Sequence, residues 1–290
     1  MPRIARIVIA GVAHHITQRG NNRQDVFFVD DDRHMYLDLL HIQCQRYGLS
    51  VTGYCLMNNH VHIIGTPEAE GALAKAIGRT HFLYTQYINR MHNRSGHLWQ
   101  NRFYSCPMDE AHALHAICYA ELNPVRAGMK KMETAPDTQS ETVLSVCDYP
   151  WSSAAAHCGS ATHHPVLDME QWRTRMPPSV WREILCQFHD DDIVKVLRQN
   201  THKGRPLGSD SFLSKLEQFA GRRLRPLPVG RPKGSKNSKQ SKRKDEKQIK
   251  VAVPIYPITH PMGVEPLAKA KKNPAHVMQK QFMTDGRSTA

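Results

Sequence analysis

YCLMNNHVHII, residues 54–64, places two histidines, His60 and His62, inside a run of strand-forming residues. A β-strand sends alternate side chains to the same face, so both imidazoles are expected to point the same way. Neutral imidazole is a common ligand for divalent metals, which makes the pair half of a metal site. The ordinary alternative for an isolated His-x-His pair is that both side chains simply pack or face solvent.

The regions around this stretch predict more strands and a helix. Residues 49–57 and 60–65 read as two strands, and Asn58-Asn59 between them suits a tight hairpin. Upstream, residues 12–17 read as a strand that ends in the turn QRGNNR, residues 18–23. A helix is expected to begin at Asp30-Asp31-Asp32 and to end at Gly48.

Helical spacing returns downstream of the hairpin. Residues 69–92 have a helical apolar pattern, residues 98–105 form a short aromatic segment, and residues 109–123 read as a helix that Pro124 ends. Antiparallel strands interspersed with helices predict an α+β sandwich rather than a parallel doubly wound sheet.

The helix before Pro124 carries a second candidate group. Tyr119 and Asn123 are four residues apart, so they lie on one helix face, one turn from each other. A tyrosine hydroxyl is a competent nucleophile toward phosphorus when a metal neutralises the phosphate, and Asn123 offers a side-chain oxygen as a third ligand. Taken alone, Tyr119 in a helix is more often a half-buried packing residue, and Asn123 before proline is more often a helix-end cap. His115, one turn earlier, is a candidate for proton transfer, with packing as the alternative.

The charge is concentrated at one end of the 290-residue chain. Residues 1–220 hold 22 Lys and Arg against 22 Asp and Glu, whereas residues 221–290 hold 17 against 4. A cationic segment of this kind attracts polyanions, and nucleic acid is the expected partner, with a membrane surface as the rival.

Two further classes of protein are disfavoured. No apolar run approaches the ~20 residues that span a bilayer, and the first residues lack the apolar stretch of a secretory signal. The seven cysteines include no C-x-x-C pair, so we expect reduced, mostly buried thiols rather than a disulfide framework or zinc ribbon. We therefore expect a cytoplasmic protein.

Several motifs together resemble one family. YCLMNNHVHII, followed about 60 residues later by YAELNPVRAG (residues 119–128), resembles the single-tyrosine HUH transposases, particularly the REP-associated tyrosine transposases. QRGNNR (residues 18–23), GHLWQNRFYS (96–105) and DYPWSS (148–153) are similar to further landmarks of that family in the same order. One departure is Asn58, which stands where these proteins usually have proline and so bears on the rigidity of the turn before His60.

The resemblance implies a ferredoxin-like or RRM-like antiparallel sheet flanked by helices, with the histidine pair on a central strand. It implies that His60 and His62 bind Mg²⁺ or Mn²⁺, that Asn123 is a third ligand and that Tyr119 is the nucleophile. The enzyme would cleave and rejoin single-stranded or hairpin DNA through a 5′-phosphotyrosine intermediate. It would be bacterial and associated with the nucleoid.

We expect three parts of the chain: a catalytic domain at residues 1–155, a helical extension at 156–224 that is a candidate DNA-binding module, and a basic, disordered tail at 225–290. Gly204-Arg205-Pro206 and Gly230-Arg231-Pro232 flank the end of the extension, and the second resembles an AT-hook core. The candidate DNA-binding residues combine phosphate donors, base-edge donors and a stacking ring. They are Arg19, Asn22, Arg23, Trp99, Gln100, Arg102, Arg205 and Arg231.

Three functions remain open from the sequence. A transposase predicts covalent attachment of DNA to Tyr119, a catalytically silent DNA-binding relic predicts affinity without cleavage, and a metal-dependent nuclease predicts cleavage without an adduct. We favour the transposase because the nucleophile and the ligands are all present. The choice between monomer and homodimer, and the DNA target sequence, stay open.

Overall fold

The computed structural model of the chain describes residues 6–131, 142–143, 145–160 and 162–226. The basic tail lies almost wholly outside these residues, and so does the predicted AT-hook core with Arg231.

Four antiparallel strands form the central sheet in the order β2-β3-β1-β4. The strands are β1 (Ala13–Arg19), β2 (Leu49–Met57), β3 (His60–Pro67) and β4 (Tyr104–Met108). Helix α1 (Asp30–Tyr47) joins β1 to β2, and helix α2 (Ala72–Met91) joins β3 to β4. This β-α-β-β-α-β order is the ferredoxin-like arrangement, so the predicted α+β class is confirmed.

The helix and hairpin signals in the sequence correspond to real boundaries. α1 begins at Asp30, where the Asp32 carboxylate accepts hydrogen bonds from the backbone N–H groups of Phe28 and Val29 (2.8 and 3.1 Å). It ends at Gly48, which has a φ of 70°. Asn58-Asn59 forms the turn between β2 and β3, as predicted.

The turn before His60 is held from outside by hydrogen bonds. The Asn58 carbonyl accepts from the backbone N–H of Val26 (2.8 Å), and its side-chain oxygen accepts from the Arg33 guanidinium (2.7 Å). Arg33 also pairs with Asp30 (3.2 Å). These contacts fix the position where the related proteins usually have proline.

Helix α3 (Glu110–Arg126) is longer than its sequence predicts. The expectation that it would end at Asn123 was wrong, because Pro124 lies inside its last turn. Proline there forfeits only the one hydrogen bond that its own N–H would have donated, and the Ala127 N–H still bonds to the Asn123 carbonyl (2.9 Å). The helix therefore includes both Tyr119 and Asn123.

The two faces of the sheet are covered by different helices. Val61 and Ile63 of β3 are fully buried on one face, and α1 and α2 pack against each other and against β2 and β3. The other face carries His60, His62 and Ile64, and α3 packs against it. A side-chain atom at Gly53 would come within 3.1 Å of Ile117, so the glycine lets α3 approach β2 closely.

Residues after the sheet continue the same core. The later elements are β5 (Lys130–Lys131), β6 (Thr142–Val143), α4 (Ala154–His157), α5 (Met169–Arg175), α6 (Pro178–Gln187), α7 (Asp191–Lys203) and α8 (Asp210–Ala220). Leu185 of α6 and Leu197 of α7 belong to one hydrophobic cluster with Ile16 of β1. The hydrophobic cluster therefore continues past residue 155. None of the helices in the described ranges is long and apolar enough to span a membrane.

Candidate active site

Strand β3 holds the two histidines on one face, as the alternation predicts. It lies between β2 and β1, with His62 opposite Thr17 and His60 opposite Arg19 of β1. The ring centroids of His60 and His62 are 5.0 Å apart. His62 is 4% exposed, whereas His60 is partly open to solvent.

Helix α3 brings Tyr119 directly to this pair. The ring centroids of Tyr119 and His62 are 5.2 Å apart, and the two planes are nearly perpendicular. Tyr119 is only 3% exposed. A strand and a helix separated by about 60 residues of chain therefore place a phenol beside two imidazoles, which is the arrangement that the motifs predict.

Both histidines have a ring nitrogen available for a metal. The Asn59 amide donates from Nδ2 to the Arg23 carbonyl (3.1 Å), so its Oδ1 accepts a hydrogen bond from His60 Nδ1 (2.6 Å). This leaves the lone pair of His60 on Nε2. Within the described part of the chain, Nε2 of His62 is a buried atom without a hydrogen-bond partner.

The surroundings keep both rings neutral. Burial lowers the pKa of His60 to about 4, and the nearby Arg19 and Arg198 guanidinium groups act in the same direction. Burial, followed by the His15 and His60 rings, holds the pKa of His62 well below its ordinary range. Neutral imidazoles with free Nε2 lone pairs fit a divalent metal ion.

Asn123 stands one turn beyond Tyr119 and is 6% exposed. Its side-chain N–H donates to the Tyr119 carbonyl (3.0 Å), which orients the amide and leaves Oδ1 as the potential ligand atom. The described residues include no group of three His, Cys, Asp or Glu side chains able to hold a metal. An ion at His60 and His62 would therefore take its other ligands from an amide oxygen, water or phosphate.

Helix α7 contributes a side chain that the sequence did not predict. Arg198 Nε donates a hydrogen bond to the Tyr119 hydroxyl (2.9 Å), and the guanidinium carbon lies 5.1 Å from the centroid of the tyrosine ring. Arg198 itself is exposed. Because 79 residues separate it from Tyr119, no local spacing could have indicated the contact.

A second unpredicted group lies behind His62. His15 of β1 is 1% exposed, and its Nε2 lies 2.9 Å from Nδ1 of His62. Its Nδ1 lies 2.8 Å from the hydroxyl oxygen of Thr201 in α7. The alternation of β1 was an available signal, since His15, Thr17 and Arg19 share one face of a strand.

Most of the predicted DNA-binding residues lie together where strand β1 ends, in a region that we call the basic edge. The Gln100 N–H bonds to the Arg19 carbonyl and the Asn21 N–H bonds to the Leu98 carbonyl (both 2.8 Å), so the turn and the aromatic segment lie together. The exposed members of this basic edge are Arg19, Asn22, Arg23, Gln100 and Arg102. Arg19 also faces His60 across the β1–β3 pair.

The other predicted contacts are placed differently. Trp99 is 8% exposed and packs against Tyr36 and His81, so the predicted stacking of its ring on a base does not fit this placement. Its burial instead anchors the aromatic segment. Arg205 is partly exposed just after α7. His115 is 7% exposed and its ring packs against Phe188, which agrees with a packing role.

Comparison with known proteins shows which family this part of the chain is similar to. Residues 9–121 match the family described as IS200-like transposases. This part of the chain is similar to that family. The match covers the sheet, α1, α2 and α3 as far as Glu121, and so includes His60, His62 and Tyr119.

Solved structures are also similar to this part of the chain. One is the structure of a REP-associated tyrosine transposase bound to a REP hairpin, with 17% identity, a TM-score of 0.41, and coverage of 58% of this chain and 98% of that chain. Another, from Deinococcus radiodurans R1, is named "putative transposase", with 17% identity, a TM-score of 0.30, and coverage of 41% and 96%. None of the curated protein sequences compared with the chain is significantly similar to it.

Proposed function

We propose that this transposase cleaves and rejoins single-stranded DNA through a covalent 5′-phosphate link to Tyr119. The observation that carries the proposal is the placement of the Tyr119 ring beside two neutral histidines. The ring centroids of Tyr119 and His62 are 5.2 Å apart, and Nε2 of His62 has no hydrogen-bond partner among the described residues. The proposal extends the similarity of residues 9–121 to the IS200-like transposases to a mechanism and to named residues.

His60 and His62 would hold a divalent ion, with Asn123 Oδ1 as the third protein ligand. Mg²⁺ or Mn²⁺ suits a mixed imidazole and amide set that leaves positions for phosphate oxygen. The ion's chemical contribution is to withdraw charge from the nonbridging oxygens of the scissile phosphate.

Tyr119 is the nucleophile in this proposal. Its oxygen forms a bond to phosphorus, the bond between phosphorus and the 3′ oxygen breaks, and the proton that the phenol loses is balanced by the one that the 3′-hydroxyl gains. The phosphotyrosine link keeps the energy of the phosphodiester. Another 3′-hydroxyl can therefore attack it and rejoin strands without a nucleotide cofactor.

The basic edge and the site form one surface for DNA. Arg19 belongs to both, since it faces His60 and stands beside the exposed Asn22 and Arg23. Arginine and amide side chains of this kind bind phosphate and base edges. A hairpin with a short single-stranded flank, the substrate that the motif resemblance implies, would place its duplex on the basic edge and its flank over Tyr119.

The test is denaturing gel electrophoresis of the protein with labelled single-stranded hairpin DNA and Mn²⁺, using hairpins from sequence that flanks the gene. We expect the label to migrate with wild-type protein and to be absent with Tyr119→Phe. Tyr47→Phe, which alters a tyrosine at the end of α1 away from the site, is the matched control and should retain the adduct.

The alternatives give different products in the same gel. Free cleaved DNA without an adduct would identify a nuclease, and binding without cleavage would identify a DNA-binding relic. An adduct that persists in Tyr119→Phe would overturn the choice of nucleophile.

A further inference from the structure

Hydrogen bonds link Thr201 to His15 and His15 to His62, and the donor and acceptor of each can be assigned. Thr201 has a single hydroxyl proton, and its Oγ1 lies 2.8 Å from the Leu197 carbonyl, which can only accept. The proton must therefore point to Leu197. The thiol of Cys106 also interacts with this hydroxyl, but sulfur is a weak acceptor beside a carbonyl oxygen.

The direction then passes from one ring to the next. Because the Thr201 oxygen has donated its proton elsewhere, it accepts from Nδ1–H of His15 at 2.8 Å. His15 is 1% exposed, and a ring buried this deeply is neutral; since its proton is on Nδ1, its Nε2 is an acceptor. At 2.9 Å from that acceptor, Nδ1 of His62 must be the donor.

We propose that Thr201 and His15 are positioning residues that hold His62 in the Nδ1–H tautomer and so aim the Nε2 lone pair into the metal site. This inference rests on the proposed function, because the tautomer of His62 matters only if that residue binds a metal. A neutral histidine side chain in water favours the proton on Nε2, where it would block a metal at that nitrogen. Metal-bound histidines are commonly oriented in this way by a partner on the other ring nitrogen.

The inference gives helix α7 a role in the site. Thr201 is 186 residues from His15, beyond the end of the segment that matches the family at residue 121. The part of the chain predicted as a helical extension therefore supports His62 through His15. His60, which has Asn59 as its own partner, does not depend on Thr201.

The variants are chosen to remove one hydroxyl without changing the volume of the core. Thr201→Val deletes the acceptor for His15, and Thr201→Ser retains it. Thr80→Val is the matched control, because Thr80 is also fully buried in a helix and donates to the carbonyl four residues earlier, Ala76, at 2.9 Å. Any general cost of losing a buried helical hydroxyl appears in that control.

Two measurements follow on full-length protein at neutral pH. Long-range ¹H–¹⁵N correlation spectra of ¹⁵N-histidine protein without metal report the tautomer, and His62→Gln assigns the His62 signals. We expect Nδ1–H for His62 in wild type and Thr201→Ser, a shift toward Nε2–H in Thr201→Val, and unchanged His60 signals throughout. Titration calorimetry should show Mn²⁺ affinity about 10-fold weaker in Thr201→Val than in Thr80→Val, with Thr201→Ser near wild type.

The outcomes separate this inference from the proposed function. Wild-type His62 with its proton on Nε2, or a Thr201→Val variant that matches Thr80→Val in both spectrum and affinity, overturns the positioning role even if Tyr119-dependent cleavage is observed. The expected tautomer with no Mn²⁺ binding by any variant overturns the metal site and the purpose assigned to the chain.

Discussion

Arg198 is the residue that bears most directly on the reactivity of the Tyr119 hydroxyl. Its Nε donates to the phenol oxygen at 2.9 Å, and its positive charge would stabilise the negative charge that develops on that oxygen during attack. The side chain is exposed, whereas Tyr119 is 3% exposed. If the scissile phosphate binds as proposed, the guanidinium would have to release the Tyr119 hydroxyl, and it would then pair with the phosphate.

Replacing Arg198 should slow chemistry more than it weakens binding. We expect Arg198→Ala to lower the single-turnover rate of adduct formation by about 100-fold, the typical effect of losing one donor to developing charge. Arg198→Lys should recover part of the rate. Lys195→Ala removes an exposed cation from the same helix and serves as the control for general charge loss. A faster rate in Arg198→Ala would show that this side chain blocks the site.

Asn123 provides a second prediction for a single residue. If its Oδ1 is a metal ligand, Asn123→Ala should weaken Mn²⁺ binding by about 10-fold while helix α3 stays folded, as measured by calorimetry and circular dichroism. Asn89→Ala, which removes a side-chain bond to the Gly96 carbonyl (3.1 Å) away from the site, is the control. Equal affinity in the two variants would restrict Asn123 to its bond with the Tyr119 carbonyl.

At the scale of elements, the sequence predicted local structure well and long-range contacts poorly. The hairpin around Asn58-Asn59 and the face shared by His60 and His62 follow from short-range spacing. The predicted helix end before Pro124 was wrong because a proline in the last turn of a helix costs only one hydrogen bond. Arg198 and Thr201 were missed because their site contacts span 79 and 186 residues, and no periodic pattern records such distances.

Helix α3 is also tied to the DYPWSS segment by a buried carboxylate. Glu121 is fully buried and accepts hydrogen bonds from Ser153 (2.5 Å), His157 Nδ1 (2.6 Å) and Trp181 Nε1 (2.9 Å). Tyr149 of the same segment donates to the Leu56 carbonyl of β2 (2.6 Å). The motif therefore fastens the end of α3 to the sheet and to α6, which helps to position Tyr119.

The Glu121 cluster should carry a large share of stability. Glu121→Gln turns an amide N–H toward one of three donors, so we expect the free energy of unfolding to fall by about 2–4 kcal/mol. Glu110→Gln is the control, since Glu110 is exposed and pairs loosely with Arg175 at 3.6 Å, and it should cost less than about 1 kcal/mol. Urea denaturation measures both. An equal loss of unfolding free energy in the two variants would show that the Glu121 cluster stabilises the fold no more than an exposed ion pair does.

For the whole molecule, buried histidines should make stability depend on pH. Burial lowers the pKa of His14 to about 4 and of His81 to about 3, from an ordinary value near 6.5. At a pH between the lowered pKa of the folded state and the ordinary pKa of the unfolded state, each histidine binds a proton in the unfolded chain but not in the folded one. The free energy of unfolding should therefore fall as pH drops from about 6.5 to 4, by at most about 1.4 kcal/mol per pH unit for each such histidine.

Substitution of one buried histidine tests this dependence. His81→Gln should reduce the slope by close to one proton, because His81 is 7% exposed and accepts a hydrogen bond from the Tyr36 hydroxyl (3.0 Å) only when its Nε2 is unprotonated. His97→Gln, at an exposed position, should leave the slope unchanged. Urea unfolding at several pH values gives the slope of unfolding free energy against pH. Identical slopes for the two variants would show that His81 does not contribute to the pH dependence.

The uneven charge of the chain gives the last prediction. Residues 227–290 carry 14 Lys and Arg against 4 Asp and Glu, so ending the chain after residue 226 removes a net charge of +10 while keeping every described residue. DNA affinity should weaken at low salt. The slope of log affinity against log salt should become shallower, by up to about 7 if all of that charge neutralises single-stranded phosphate. Fluorescence anisotropy between low and moderate salt measures it, with the Tyr119→Phe variant of the full chain as a control that leaves the slope unchanged. An equal slope in truncated and full-length protein would exclude the tail from DNA contact and leave the basic edge around Arg19 and Arg23 as the binding surface.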